Sequence, residues 1–439
     1  LLLLNKFHMH LYSQLYKILK HVHDTFPDWS ESLALLSANF IAAYAYSYDW
    51  AYHVFTPEER ADVLRMTMNR GANIAVQGYE QKLAEAYITM MQRGNNQTST
   101  ANRANICLAI AIATDYPAVA EYLLDNASRG MPNVFYEFFP DGGFIETTDY
   151  WDASATDVIQ SISALESCIK PGTTLPERLD WANSIEGFIN TGDFPIYYNG
   201  ATSSFNYGDT TSRFISSISF LYLSSRYNEP KYAWYELTKN QPENPFTTRR
   251  NPFAIAWYDP DNVTCAPGDF PLDKFYQNDG ENGVNGMSMR SSWEDEDMLF
   301  VAMQGGDNGA MHQNPSLGTF VMDYAGKRWF LLTGKNSLSG TYTITSRHDG
   351  NEGEIWHKRT ESNNTLIINP DKTVGQDKDA FAPLTRYGTA ENAAFGVLDI
   401  SDAREDIASW NRGMMLYDNR ERVIIRDEIQ MNKPSEIYW

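Results

Sequence analysis

The sequence is poor in cysteine, short of positive charge, and without a long apolar run. Its three cysteines, Cys107, Cys168 and Cys265, are odd in number, far apart and outside any CxxC pattern. Neither a disulfide framework nor a cysteine zinc site is therefore expected. Lys and Arg number 35 against 56 Asp and Glu, a net charge of −21. That balance argues against nucleic acid and against an anionic membrane surface as partners. A polyanionic substrate would need a locally basic cleft, which a summed charge does not reveal. No apolar run approaches the roughly 18 residues a membrane-spanning helix requires. Leu1–Leu4 is too short for a signal peptide. It reads as the middle of a helix, and the closing Ile437-Tyr438-Trp439 reads as strand, so a piece of a longer protein is expected.

What the chain does have is apolar and aromatic content, at 43% and 13%, enough to exclude disorder. The 439 residues can fill two domains with sizeable cores. The aromatic count, 11 Trp, 26 Tyr and 22 Phe, is high. Most must be packing residues, yet exposed rings are what carbohydrate clefts use to stack on sugars.

The first half has apolar residues at three- and four-residue spacing. Helices are expected at Lys6–His23, Glu31–Trp50, Pro57–Gln77, Gln81–Gln92, Ala101–Ala113, Ala118–Ser128, Ala155–Cys168, Leu179–Phe188, Thr211–Arg226 and Lys231–Thr238. Thr56-Pro57-Glu58-Glu59 is a strong start signal: a capping threonine, proline in the first turn and acids near the positive dipole end. Consecutive helices without strands imply an α-hairpin array or toroid. The pattern changes at Gln241–Asn251, a Pro/Asn/Arg-rich linker. Strands are then expected at Met298–Met303, Thr319–Tyr324, Arg328–Leu332, Asn364–Ile368, Ala394–Ile400, Gly413–Tyr417 and Arg422–Gln430, spaced as in an antiparallel sandwich. The domains expected are residues 1–240, helical, and 252–439, β-sandwich.

Four loops are candidates for chemistry. Gly94-Asn95-Asn96-Gln97-Thr98 precedes a helix, where side-chain amides and the dipole can meet a carboxylate, or where an asparagine simply caps. Asn96-Gln97-Thr98 and Asn262-Val263-Thr264 also match the N-glycosylation pattern, a weak signal. Pro140–Trp151 is a turn carrying Glu146, Asp149, Tyr150 and Trp151. Phe205-Asn206-Tyr207-Gly208-Asp209 is the third loop. The fourth is the glycine-rich Gly305–Gly318, which holds a single histidine, His312, just before a β-hairpin centred on Ala325-Gly326-Lys327.

Taken in order, Asn95-Asn96, Asn102, PDGGFIETTDYW, FNYGD, MRSSWEDEDMLFVAMQGGDNGAMH and LGTFVMDYAGKRWF resemble the heparinase II/III-like polysaccharide lyases. The resemblance runs from about Tyr44 to the end. It implies an N-terminal (α/α) toroid, an incomplete helical barrel, followed by an antiparallel β-sandwich. It also implies β-elimination at a uronic acid of an acidic polysaccharide, and secretion or a periplasmic location. Alternatives are a glycan-binding relative that has lost catalysis, and a glycoside hydrolase using Glu146 and Asp149, two carboxyl groups close in sequence.

β-Elimination removes the C5 proton of the uronate and expels the group at C4. The carboxylate must be hydrogen-bonded or neutralised as electrons move onto it, and a base and an acid are needed, roles open to Tyr or His. The expected catalytic residues are Tyr150, His312, Asn96 and Gln97, with Tyr207, Glu146, Trp151 and Asn95 as substrate-binding residues, in a cleft between the domains. Where many relatives carry histidine or tryptophan after the asparagine, this chain has Gln97. The family's His-x-His-x-Asp stretch appears as His312-Gln313-Asn314-Pro315-Ser316. Relatives bind zinc through that second histidine, an aspartate near Leu332 and a histidine near Asn363. Asn314, Leu332 and Asn363 are poor ligands or none, so no metal is expected.

Overall fold

The computed structural model describes residues 2–31, 34–239, 252–266, 268, 270–278, 283–334, 358–370 and 375–439, with side chains from residue 14 onward. The linker expected at Gln241–Asn251 lies outside the described residues. The chain packs as two compact units, Leu1–Tyr136 with Ala153–Ile185, and Glu137–Asp152 with Glu186–Trp439. The change from helix to strand falls between Trp257 and Asp273, after one short helix, Phe253–Trp257.

The first unit is helical. Its elements include Leu2–Thr25, Ala34–Trp50, Pro57–Met66, Asn73–Tyr79, Asn96–Ile112 and Pro117–Gly130. Pro57–Met66 starts as the sequence dictates: the Thr56 side chain accepts from the Glu59 N–H at 3.1 Å, and the Thr56 N–H donates to the Glu59 carboxylate at 3.0 Å. Helix Asn96–Ile112 packs on Ala34–Trp50 through small residues, with Ala38, Ala42, Ala45, Ala101 and Ala104 all buried. Small side chains let the two backbones approach, and the larger Tyr44, Tyr48 and Leu108 fill the space around them. The buried Arg103 holds Asp157 at 2.8 Å, tying Asn96–Ile112 to helix Thr148–Ser167. Among the described residues no helix is long and apolar enough to cross a membrane, and the helices form no closed barrel.

The second unit contains two main sheets, antiparallel throughout. One has the order Asp273–Tyr276, Gly286–Arg290, Phe300–Gln304, Phe320–Tyr324, Lys327–Phe330; the other runs Arg422–Met431, Ile407–Tyr417, Ala393–Asp399, Leu384–Ala390. Met287, Met289, Val301 and Met303 of the first share a core with Ala394, Leu398, Trp410 and Met414 of the second, which makes a sandwich. From Trp410 to Tyr417 buried and more exposed residues alternate, with Trp410, Arg412, Met414 and Leu416 pointing inward, as in a half-buried strand. Gly286–Arg290 and Phe300–Gln304 are buried on both faces. Their second face is covered by the segment around helix Asp193–Tyr198: Arg290 donates to the Tyr197 carbonyl at 2.9 Å, and Phe194 and Tyr198 pack on Tyr276. Residues 186–239 therefore belong with the strands although they are largely helix and loop.

Several expected elements differ. Leu179–Phe188 is not a helix; only short 3₁₀ turns form at Glu177–Leu179 and Phe188–Asn190. At Gly187 (φ 76°) the chain lies so close to Phe138–Gly142 that a Cβ would sit 2.6 Å from the Gly142 nitrogen. Thr211–Arg226 is helical only from Ser219, because earlier N–H groups are taken by distant side chains: Thr211 by Asp149 (2.8 Å), Ile215 by Asn199 (3.2 Å) and Ser217 by Glu236 (3.3 Å). The strand expected at Asn364–Ile368 shrinks to Ile367–Ile368, since the Asn364 amide turns aside to the carbonyls of Phe320 and Leu331.

Candidate active site

The hairpin Phe320–Tyr324 and Lys327–Phe330 turns on Ala325 and Gly326, with φ 52° and 66°, as in the two-residue turn whose twist suits paired strands. Its buried Asp323 takes a forked pair of bonds from Arg328, at 2.6 and 3.1 Å. The same guanidinium donates to the carbonyls of Ser203 (2.8 Å) and Ser204 (2.7 Å), and Thr202 donates to Asp323 at 3.1 Å. This pins residues 202–204 to the sheet and fixes where the Phe205–Asp209 segment begins.

The loop Gly305–Gly318 is closed at its base by the Gly318 N–H on the Gln304 carbonyl (2.9 Å) and internally by Ser316 N–H on Asn308 (3.1 Å). At its tip His312 has φ 63° and is 4% exposed. Its ring lies flat on that of Tyr150, with centroids 3.6 Å apart and 14° between planes. Its Nδ1 is 3.2 Å from the Asp209 carboxylate, and its carbonyl accepts the Asp209 N–H at 2.9 Å. Gln313 next to it donates to the Ile145 carbonyl at 2.7 Å. Three segments, 145–150, 207–209 and 312–313, thus converge. Thr147, a β-branched residue at φ 86°, enters the helix that carries Tyr150, and its methyl group packs beside Gly208. Tyr150 is half-buried, so part of it faces solvent.

The structure brings Tyr150 and His312 together as the sequence predicted. Trp151 is corrected: it is fully buried, packed on Phe220, and its Nε1 donates to Thr191 at 2.8 Å, which leaves no ring face for a sugar. Tyr207 is likewise inside, 2% exposed against Phe205 and Tyr198, and its hydroxyl bonds Gln313. Burial pushes its ionisation well above the ordinary tyrosine range. Glu146 is fully buried as well. These three shape the walls that carry Tyr150 and His312. Asp149 accepts from Thr211 at 2.8 and 2.9 Å and pairs with Arg213 at 3.1 Å. Asp209 and Arg213 were missed in the sequence, although Asp209 lies in the FNYGD motif that had been singled out.

The asparagine-rich loop belongs to the helical unit. Asn95 is the N-cap of Asn96–Ile112; its buried side chain accepts from the N–H groups of Gln97 (3.0 Å) and Thr98 (3.1 Å). It is a cap, and Asn96 and Gln97 are the half-buried residues of the first turn. Arg93 donates to the Gln97 side-chain oxygen at 3.1 Å and pairs with Glu85 at 3.1 Å. The Gln97 amide is thereby turned with its NH2 away from the arginine.

At the positions where zinc ligands would stand, the donors do not fit the metal. Asn363 donates to the Arg359 carbonyl at 2.9 Å, the buried Leu332 side chain is a hydrocarbon, and Asn314 is a neutral amide. Their segments are nonetheless neighbours, since Thr360 donates to the Pro315 carbonyl (2.7 Å) and Asn364 to that of Leu331 (3.2 Å).

No family model matches the sequence, and no curated protein does. Solved structures match in fold. Heparan sulfate lyase HepC from Pedobacter heparinus aligns with 92% of this chain at TM-score 0.54 and 14% identity. The heparinase III encoded by BT4657 aligns with 92% at TM-score 0.57 and 17% identity. A further heparinase III structure aligns with 91% at TM-score 0.56 and 14% identity. In each case the chain spans 55% of the other protein's length. The chain has a heparinase-like polysaccharide lyase fold, helical in its N-terminal part and built of antiparallel sheets in its C-terminal part.

Proposed function

We propose that the protein is a polysaccharide lyase that cleaves a uronic-acid-containing acidic polysaccharide, glycosaminoglycan- or alginate-like, by β-elimination. The observation that carries this reading is the Tyr150 ring stacked at 3.6 Å on His312, itself held by Asp209, in a chain of heparinase-like fold. Tyr150 presents an ionisable hydroxyl from a half-exposed position and serves as base and acid, with His312 as its partner. Asn96 and Gln97 are assigned, on the family resemblance, as neutral donors to the uronate carboxylate, which must accept electrons as the C5 proton leaves. Among the described residues no group of three or more His, Cys, Asp or Glu side chains could hold a family zinc, and no step is assigned to one.

The hydrolase alternative needs two carboxyl groups opposed across a bond. Asp149 is already engaged by Thr211 and Arg213, and Glu146 is shut inside. Secretion or a periplasmic location is proposed with this reading, as the family resemblance implies.

The test is incubation with heparin, heparan sulfate, chondroitin, hyaluronan and alginate, following ultraviolet absorbance of the unsaturated product. At least one substrate is expected to give rising absorbance, and the rate is expected to be unchanged after chelation. New reducing ends without absorbance would identify a hydrolase instead. Binding without cleavage would identify a glycan-binding relative.

A further inference from the structure

We propose that Asp209 is the positioning residue of the site: it fixes which nitrogen of His312 carries the proton and holds that ring against Tyr150. The inference rests on the lyase reading for its catalytic consequence but on geometry alone for the clamp itself.

The clamp has two points. The Asp209 N–H holds the His312 carbonyl at 2.9 Å, and the Asp209 carboxylate faces Nδ1 at 3.2 Å. Both groups are nearly closed to solvent, with side chains 7% and 4% exposed. A carboxylate only accepts, so in the neutral ring Nδ1 would carry the proton and Nε2 would be left as the acceptor. The approach is possible because residue 208 is glycine. Gly208 has φ 60°, and a Cβ there would lie 2.4 Å from the His312 carbonyl oxygen. His312 in turn sits at φ 63°, a conformation uncommon outside glycine, which the bond its carbonyl accepts from the Asp209 N–H and the Nδ1 contact with the Asp209 carboxylate help to hold. The Asp209 segment is anchored independently of the histidine loop, through Arg328 on the carbonyls of Ser203 and Ser204. Loop and clamp therefore meet as two separately fixed parts. That arrangement suits an imidazole which must neither rotate nor change tautomer while Tyr150 moves a proton beside it.

The experiment is nitrogen NMR of the full chain labelled at histidine, with the His312 signals assigned by their loss in His312→Ala. At alkaline pH the neutral wild-type ring is expected to carry its proton on Nδ1, and Asp209→Ala is expected to move it to Nε2. On a cleaved polysaccharide, Asp209→Ala is expected to lower kcat on the order of 10–100-fold with KM little changed, and Asp209→Glu to recover part of the loss. A wild-type ring protonated on Nε2, or the same tautomer in wild type and Asp209→Ala, would overturn the proposal. The wild-type spectrum decides even if the alanine variant does not fold. An Nδ1-protonated ring in a protein that yields no unsaturated product supports the clamp while overturning the lyase reading.

Discussion

Glu137 and Glu146 are two carboxyl groups that the proposed chemistry leaves unused, and they show how burial sets behaviour at a single residue. One oxygen of Glu137, Oε2, is sealed from solvent without a hydrogen-bond partner among the described residues. Desolvation, with the nearby Glu146 charge adding to it, raises the Glu137 ionisation well above the carboxylate range. A raised folded-state value favours the native state below the unfolded value of about 4.3 and costs stability as pH climbs through the folded value. Glu137→Gln removes the ionisation at nearly constant volume. Its melting temperature is expected to exceed that of the wild type at about pH 8 and to match it near pH 4, read by thermal denaturation across that range. An equal shift at both ends would mean that the carboxyl is not the cause. Residues of this kind were hard to read in advance. His312 stands out as the single histidine of a glycine-rich loop, while the roles of Tyr150 and His312 come from the resemblance carried by the order of motifs. Trp151 and Tyr207 looked the same in sequence, and only their burial separates a packing ring from an exposed one. Asp209 was legible only as part of a motif, because its partner lies 103 positions away.

At the scale of elements, local signals worked where the chain obeys local rules. The capping box at Thr56, the hairpin turn at Ala325-Gly326 and the alternation from Trp410 to Tyr417 each follow from neighbouring residues. Strands Asp273–Tyr276 and Gly286–Arg290 escaped notice; the second is buried on both faces and so shows no alternation. The helix expected from Thr211 failed because tertiary hydrogen bonds outbid its own ladder. The cap at Asn95 gives an element-level prediction. Asn95→Ala leaves the Gln97 N–H without its side-chain acceptor, while the Thr98 N–H keeps the residue-95 carbonyl at 3.0 Å, and the change is expected to cost about 0.5–2 kcal/mol in chemical denaturation. A change within error would mean that water replaces the cap without loss. Since Asn96 and Gln97 stand on that first turn, the same variant is expected to weaken any cleavage activity as well.

For the whole molecule, the order of separated motifs carried more than any one of them. Helices followed by antiparallel sheets could be read from periodicity, and the order of motifs pointed to the heparinase-like fold that the structure has. What periodicity could not show is that residues 186–239 pack with the strands, since that follows from a sheet buried on both faces by a segment far away in sequence. In the proposed chemistry the Tyr150 hydroxyl moves the proton. Tyr150→Phe keeps the ring that stacks on His312 and deletes only that hydroxyl. The decisive measurement is the initial rate of unsaturated-product formation by wild type and Tyr150→Phe on the same polysaccharide, with folding of both confirmed by melting temperature. A loss of at least about 100-fold in kcat is expected, the scale of general acid–base catalysis. A variant that folds and turns over at the wild-type rate would contradict it.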